Sequence, residues 1–201
     1  MHSWIHIYML NLFLVISQCS SAQLLDSLTL ANEKTFSDLN DAIQFADKVY
    51  KLELKHKRLK TFPTAIFKFK NLQVLILRKN EIREVPKEIE QLASLQDLDL
   101  SGNLLEQLPD EICNLSNLKY LRLGQNELWE LPDSIGKLQS MIYLDLWSNN
   151  LTSLPESISE LSNLKEIDMR VIQLNEQKQN EIQSLLPHVK IKFSSPCDCD
   201  H

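Results

Sequence analysis

Residues able to carry catalysis are few and scattered in this chain of 201 residues. Beyond the N-terminal apolar segment the histidines are His56, His188 and His201, and none is placed near a Ser or Cys as a nucleophile and its base would be. The sequence has no G-x-S-x-G, no phosphate-binding glycine loop and no H-E-x-x-H. It therefore predicts no catalytic residue and no cofactor, and we expect a non-enzymatic protein.

Metal-binding residue types gather at two places. The tail Cys197-Asp-Cys199-Asp-His201 holds soft ligands close together, but one short segment lacks the fourth well-placed ligand of a structural zinc site. Its two cysteines pair between chains or remain free. Elsewhere, Asp145 and Asp168 lie 23 positions apart and could hold a hard cation, but a solvated acidic strip is the simpler interpretation. We predict no metal site.

The elements that would position any site come from an internal repeat. Four copies begin at Leu72, Leu95, Leu118 and Met141, each 23 residues after the last. Each copy contains a short leucine alternation, such as Leu98-Asp-Leu100, which is typical of a half-buried strand. A single copy cannot bury its leucines, so neighbouring copies must stack and share a core.

The repeat pattern resembles a known family. The copies follow L-x-x-L-x-L-x-x-N-x-L-x-x-L-P-x-x-I-x-x-L, and five of the seven prolines fall at one phase: Pro63, Pro86, Pro109, Pro132 and Pro155. This is similar to leucine-rich repeats of plant disease-resistance-like proteins, Ras-pathway scaffolds and exported bacterial proteins, and the tail IQSLLPHVKIKF resembles the closing segment of the bacterial members. The resemblance implies an α/β solenoid with a concave parallel sheet. It also implies a buried ladder of asparagines that bond to free backbone groups: Asn80, Asn103, Asn126 and Asn149.

Both ends of the repeat array need covers. Apolar residues spaced three or four apart predict an amphipathic N-terminal cap helix over Phe36–Val49, with Thr35 or Ser37 as its N-cap. Asn175 predicts the start of a helix through Leu186, followed by a final strand at Val189–Phe193. The expected domains are 1–22 signal peptide, 23–48 lead-in and cap helix, 49–174 repeats with degenerate first and last copies, 175–193 C-terminal cap, and 194–201 tail.

The first residues predict export. The apolar run Trp4–Ile16 precedes the small residues Ser20-Ser21-Ala22, which is typical of a secretory signal cleaved after Ala22. The run is too short for a stable membrane span. Cleavage before Cys19 would instead give a lipid-bearing N-terminus, although Gln18 is large for that site. A secretory signal without a disulfide framework favours a bacterial route to the periplasm, the cell surface or the medium.

The strand residues that face away from the leucines are the candidate binding residues. With parallel strands in register, Tyr120, Tyr143 and Trp147 meet on neighbouring strands as anchors, a composition typical of protein-binding hot spots. We expect charged neighbours to set the partner's orientation: Asp97, Asp99, Arg122, Asp145 and Lys79. The alternative is that the aromatic rings simply pack across the strands.

Charge and composition restrict the partner. The net charge is −6, which argues against nucleic acid, whose binders concentrate Lys and Arg. We expect another protein, a host or envelope component, to bind the concave face of a monomer. An intracellular signalling scaffold, in which residues 4–16 are not a signal, is the alternative function. An enzyme using the acidic concave strip is a third.

Overall fold

The computed structural model describes residues 24–195. The predicted signal peptide with Cys19 and its cleavage site after Ala22, and the tail cysteines Cys197 and Cys199, lie outside the described residues. Among residues 24–195 no helix is both long and apolar enough to cross a membrane.

One parallel sheet runs the length of the molecule. Its eight strands pair in chain order. They are β1 (Thr35–Phe36), β2 (Lys51–Glu53), β3 (Val74–Ile76), β4 (Asp97–Asp99), β5 (Tyr120–Arg122), β6 (Tyr143–Asp145), β7 (Glu166–Met169) and β8 (Lys190–Phe193). Residues 23 positions apart face each other from β2 to β7, as in Leu98 opposite Leu121. The 23-residue sequence period therefore sets the register of neighbouring strands, and the solenoid fold predicted from that period is confirmed.

Short 3-10 helices return the chain from one strand to the next. They span Thr64–Lys68, Lys87–Gln91, Asp110–Asn114, Ile135–Lys137 and Glu156–Glu160. A proline directly precedes four of the five and lies two residues before Ser134, the N-cap of the other. Proline has no N–H to leave unpaired at a helix start, and the residue before it is kept extended. The inward-facing leucines and isoleucines of the repeat strands and returns fill one core and are almost fully buried.

The asparagine column connects successive turns. Asn80, Asn103, Asn126 and Asn149 are only 5–8% exposed. The Asn126 Nδ2 donates to the carbonyls of Leu123 at 2.8 Å and of Leu100 at 3.1 Å, and its Oδ1 accepts from the Leu105 N–H at 3.1 Å. The other three make equivalent bonds. Each amide thus satisfies backbone groups of two turns where the strand bends away.

A residue with left-handed backbone precedes each of these asparagines. The φ angles are 55–65° at Lys79, Gly102, Gln125 and Ser148, and His56 and Val171 occupy the same phase at the two ends of the array. Only one of the six is glycine. Left-handed backbone is unfavourable for residues with a Cβ, so the surrounding hydrogen bonds must hold these turns.

The N-terminal cap differs from the predicted single helix over Phe36–Val49. The segment divides into β1, a short helix α2 (Leu39–Ile43) and a 3-10 turn at Ala46–Lys48. Phe36 is extended because β1 pairs with the open edge of β2, and the N-cap is Asp38, whose carboxylate accepts from the Asn40 and Asp41 N–H groups. The apolar spacing is therefore shared by a strand and a helix that bury Phe36 and Ala42.

The lead-in before this cap is also structured. It contains helix α1 (Ser27–Asn32), whose N-cap Asp26 accepts from the Leu28 and Thr29 N–H groups. No element was predicted for the lead-in, because a six-residue helix is too short to show a helical period.

The C-terminal cap agrees with the predicted helix and strand. Helix α3 (Glu176–Leu185) starts at Asn175, whose side chain accepts from the Lys178 N–H, and β8 pairs in parallel with β7. Lys190 and Lys192 on β8 both pair with Glu166 of β7. Lysines on an outer strand disfavour pairing with a second sheet.

Candidate functional site

The outward strand residues lie on the concave face in the predicted columns. Tyr120 stands opposite Tyr143, and Arg122 stands opposite Asp145, which in turn faces Asp168. Each has at least one buried Leu, Ile or Met as its neighbour in the strand, because side chains alternate across a strand. Trp147 follows two residues after β6 on the same side.

The aromatic side chains of this face remain accessible. Tyr120 is 37% exposed, and Tyr143 and Trp147 are half-buried. Among the described residues the paired aromatic rings are Phe36 with Phe45 and Phe62 with Phe67, so these three rings do not stack on one another. The Arg122 guanidinium lies 5.6 Å from the Tyr120 ring centre. The three rings therefore keep exposed area that a partner could contact.

Of the four strand aspartates on this face, Asp97 and Asp168 have a cation partner among the described residues, and Asp99 and Asp145 have none. Arg122 bonds to Asp97 of the preceding strand. Arg170 makes a forked contact with Asp168, with Nε 2.9 Å from Oδ1 and Nη2 2.7 Å from Oδ2. The Asp168 side chain is therefore buried but satisfied.

Asp145 lies between them without a cation of its own. Within residues 24–195 its carboxylate accepts one hydrogen bond, from the Trp147 N–H at 2.9 Å, and forms no salt bridge. Burial is the main reason that the pKa of Asp145 is raised, and the nearby Asp168 and Asp99 add to it. This carboxylate retains acceptor capacity for a group from outside the chain.

Two predicted orienting residues do not join this cluster. Asp99 is only 6% exposed, and its carboxylate accepts from the backbone N–H of Ser101 at 3.0 Å and from its hydroxyl. Asp99 therefore holds the turn after β4 and offers little to a partner. Lys79 is exposed at the turn after β3, three strands from Trp147, which places it roughly 14 Å away at about 4.8 Å a strand.

Asp145 and Asp168 are the neighbouring carboxylates considered for a hard cation. Residues 24–195 contain no group of three or more His, Cys, Asp or Glu side chains placed to hold a metal ion. The Asp145 and Asp168 pair lies side by side as the columns predict, but the Asp168 oxygens are already taken by Arg170.

A polar ladder at the start of the strands was not anticipated from the sequence. The Gln96 Nε2 donates to the Gln73 Oε1 at 2.7 Å, and the Lys119 Nζ donates to the Gln96 Oε1 at 2.7 Å. Gln73, Gln96 and Lys119 are 23 residues apart, so the repeat phase could have indicated them.

The lead-in helix lies against this end of the sheet. The Leu25 N–H donates to the Gln73 Oε1 at 3.2 Å, and the Lys51 Nζ donates to the Ala31 carbonyl at 3.0 Å. Together α1 and the strands enclose a shallow groove that reaches Asp97 and Tyr120. Helix α1 thus covers the beginning of β2 and β3 and forms one wall beside Tyr120, while Tyr143 and Trp147 lie beyond it.

Comparison with known proteins gives two family matches that adjoin each other. Residues 47–105 match a family described as leucine rich repeat, and residues 106–186 match one described as leucine-rich repeat region. A search of curated proteins returned no match.

Two similar solved structures have the same architecture. One is a leucine-rich repeat protein of Leptospira interrogans, 33% identical over 82% of this chain and 49% of its own, with a TM-score of 0.62. The other is the leucine-rich repeat ectodomain of the Arabidopsis thaliana membrane receptor kinase GASSHO1/SCHENGEN3 in complex with Casparian strip integrity factor 2. It is 28% identical over 81% of this chain and 20% of its own, with a TM-score of 0.59. The chain spans about half the length of the Leptospira protein.

Proposed function

The chain belongs to the leucine-rich repeat proteins, and from that premise we propose that its concave face binds another protein, without catalysis, around Tyr120, Tyr143 and Trp147. Proteins of this family commonly mediate protein–protein binding. The plant ectodomain that this chain resembles was solved in complex with a partner. The observation that carries the proposal is the accessible aromatic cluster with Asp145, a carboxylate without its own cation, at its centre.

The chemistry of the cluster suits a polar and aromatic contact. Tyr, Trp and Arg dominate binding hot spots because they bury a large area and make directed hydrogen bonds. The strands hold the backbone of Tyr120, Tyr143 and Arg122 in register, so the backbone needs no further ordering on binding. Asp145 is suited to receive a donor group from the partner, and Asp97 keeps Arg122 oriented beside it.

Affinity capture with a matched control tests this proposal. The chain from Gln23 onward is immobilised and exposed to envelope or host-surface material, and the captured protein is then titrated against variants. Replacing Tyr120, Tyr143 and Trp147 together by Ala should weaken binding at least about 100-fold, since each hot-spot residue contributes about 2 kcal/mol or more. Trp129→Ala removes a 51% exposed aromatic side chain that lies seven residues beyond β5, and it should leave the affinity unchanged. Equal affinity of the triple variant and the native chain would reject the concave cluster as the binding surface.

Export to the periplasm, the cell surface or the medium is part of the same proposal. It is supported by the apolar run Trp4–Ile16 and the small residues that end at Ala22. N-terminal sequencing of the protein from separated cell fractions tests it. A chain starting at Gln23 outside the cytoplasm is the expected result. A cytoplasmic chain that retains residues 1–22 would favour the intracellular scaffold instead.

A further inference from the structure

The basic residues of this acidic chain are concentrated in its first two repeats. Residues 51–92 contain eleven Lys and Arg against five Asp and Glu, whereas residues 93–174 contain five against thirteen. The net charge of −6 conceals this separation. The protein field is therefore positive near one end of the solenoid and negative over the rest.

The fold gathers most of these cations on one edge. The register that places Glu53 opposite Ile76 also places Lys55 beside Arg78 at the turns that follow β2 and β3, and the His56 N–H donates to the Arg78 carbonyl at 3.3 Å. Adjacent turns are about 4.8 Å apart. We call this set the basic edge: Lys55, Lys57, Arg58, Lys60, Arg78, Lys79 and Arg83.

The charges of the basic edge are exposed and, among the described residues, mostly without salt-bridge partners. All seven residues are exposed, and within residues 24–195 only Lys55 forms a salt bridge, with Glu53. Among described residues the exposed large apolar side chains all lie outside 51–92. Like charges this close repel one another, so an anionic ligand that bridges the two turns would be bound favourably.

The backbone beneath these side chains is held in place. The Lys57 N–H donates to the Asn80 Oδ1 at 2.9 Å, and the Lys79 N–H donates to the Ser101 carbonyl at 2.8 Å. His56, Arg58 and Lys79 have left-handed backbone with φ of 55°. The backbone positions that carry the cations are thus set by the repeat before any ligand arrives, so the backbone loses little entropy on binding.

We propose that the basic edge is a second binding site, separate from the aromatic cluster, for an anionic polysaccharide such as a sulfated glycan chain. A flexible chain with regularly spaced sulfates or carboxylates can lie across two turns and then leave the molecule. A nucleic acid duplex has a persistence length of about 50 nm, so a duplex lying along the solenoid would also meet the acidic repeats that follow. Single-stranded nucleic acid gains affinity from exposed aromatic rings on which its bases stack, and membrane binding is strengthened by apolar side chains that insert. The basic edge offers neither.

Heparin is the probe that tests this site. The chain from Gln23 onward should bind immobilised heparin, and the affinity should fall as salt rises, because binding releases counterions. A quadruple variant with Lys57, Arg58, Arg78 and Lys79 replaced by Gln should lose at least about tenfold in affinity and show a shallower salt dependence. The matched control replaces four exposed lysines outside the edge, Lys48, Lys68, Lys137 and Lys165, by Gln, with the same change in net charge.

The outcomes separate this site from its rivals. Retained heparin binding by the control and by the Tyr120, Tyr143 and Trp147 triple variant supports a distinct polysaccharide site. Equal losses in the quadruple variant and the control would overturn it, since net charge alone would then explain binding. Equal affinity for duplex DNA or for vesicles containing anionic phospholipid, at the same salt concentration, would overturn the assignment to a polysaccharide. Matching thermal unfolding of all variants shows that the losses do not arise from misfolding.

Discussion

Replacing Asn126 by Ala should lower the free energy of unfolding by roughly 3–5 kcal/mol, the combined effect of three lost hydrogen bonds at buried sites. The Leu105 N–H, which bonds to the Asn126 Oδ1, would be left buried without a partner. The carbonyls of Leu100 and Leu123 would each keep one donor, from Asn103 and Asn149, so their loss is partial. Denaturant unfolding followed by circular dichroism measures the change.

A neighbouring asparagine provides the control. Asn150 is exposed, and its side chain reaches the Glu127 carbonyl only at 3.5 Å, so Asn150→Ala should change stability by less than about 0.5 kcal/mol. Asn126→Asp separates hydrogen bonding from size, because a carboxylate accepts from Leu105 but cannot donate to two carbonyls. This variant should not recover stability at neutral pH. Equal stability of the Asn126→Ala and Asn150→Ala variants would contradict a structural role for the asparagine column.

Two neighbouring carboxylates should respond to Asn substitution with opposite signs. Burial raises the pKa of Asp145, so the folded state favours its protonated form. Stability from this group is present at low pH and is lost as pH rises through its raised pKa. Asp145→Asn should therefore raise the thermal unfolding midpoint at neutral pH, while its amide oxygen still accepts from Trp147.

Asp168 should behave in the opposite way. Burial raises its pKa, but the hydrogen bonds and charge of Arg170 together outweigh burial and leave the pKa lowered. Stability from this group is present above the unfolded carboxyl pKa of about 4 and is lost as pH falls through the lowered value. Asp168→Asn should lower the unfolding midpoint at neutral pH, and its difference from the native chain should shrink in acid.

Thermal unfolding across a pH series tests both variants together. A loss of stability for Asp145→Asn at neutral pH would show that its carboxylate is satisfied within the chain. That result would remove one support for the concave binding site. The expected rise in the unfolding midpoint would instead show that Asp145 lowers the stability of the native chain, which is a common property of binding-site residues.

The repeated part of the molecule could be predicted from sequence because each copy specifies its neighbour. The 23-residue period determines which side chains face each other, so the sequence predicts correctly that Tyr120 stands opposite Tyr143. The N-terminal cap has no second copy for comparison, and its apolar spacing fits one helix as well as a strand followed by a shorter helix. Pairing of Phe36 with the open edge of β2 decides between them, and such a tertiary contact leaves no local signal.

The sequence predicts which strands carry the candidate site, but it does not predict the contacts of each side chain. The column that contains Asp99 was expected to face the partner, yet the turn after β4 folds Ser101 back onto that carboxylate. The left-handed turns were also missed, because residues as different as Lys79 and Val171 occupy a conformation usually signalled by glycine. The net charge of −6 did not indicate the basic edge, because a sum over the whole chain hides a local excess of Lys and Arg.

The bonds of Asn126 reach only its own turn and the turn before it in the stack, and the same holds for its counterparts. Such a ladder has no preferred total length. Duplication or loss of one 23-residue unit would lengthen or shorten the concave face by about 4.8 Å, and both end caps would keep their own contacts. Duplication of one unit in the gene could therefore change the distance between the basic edge and the aromatic cluster in fixed steps, while both sites keep their residues.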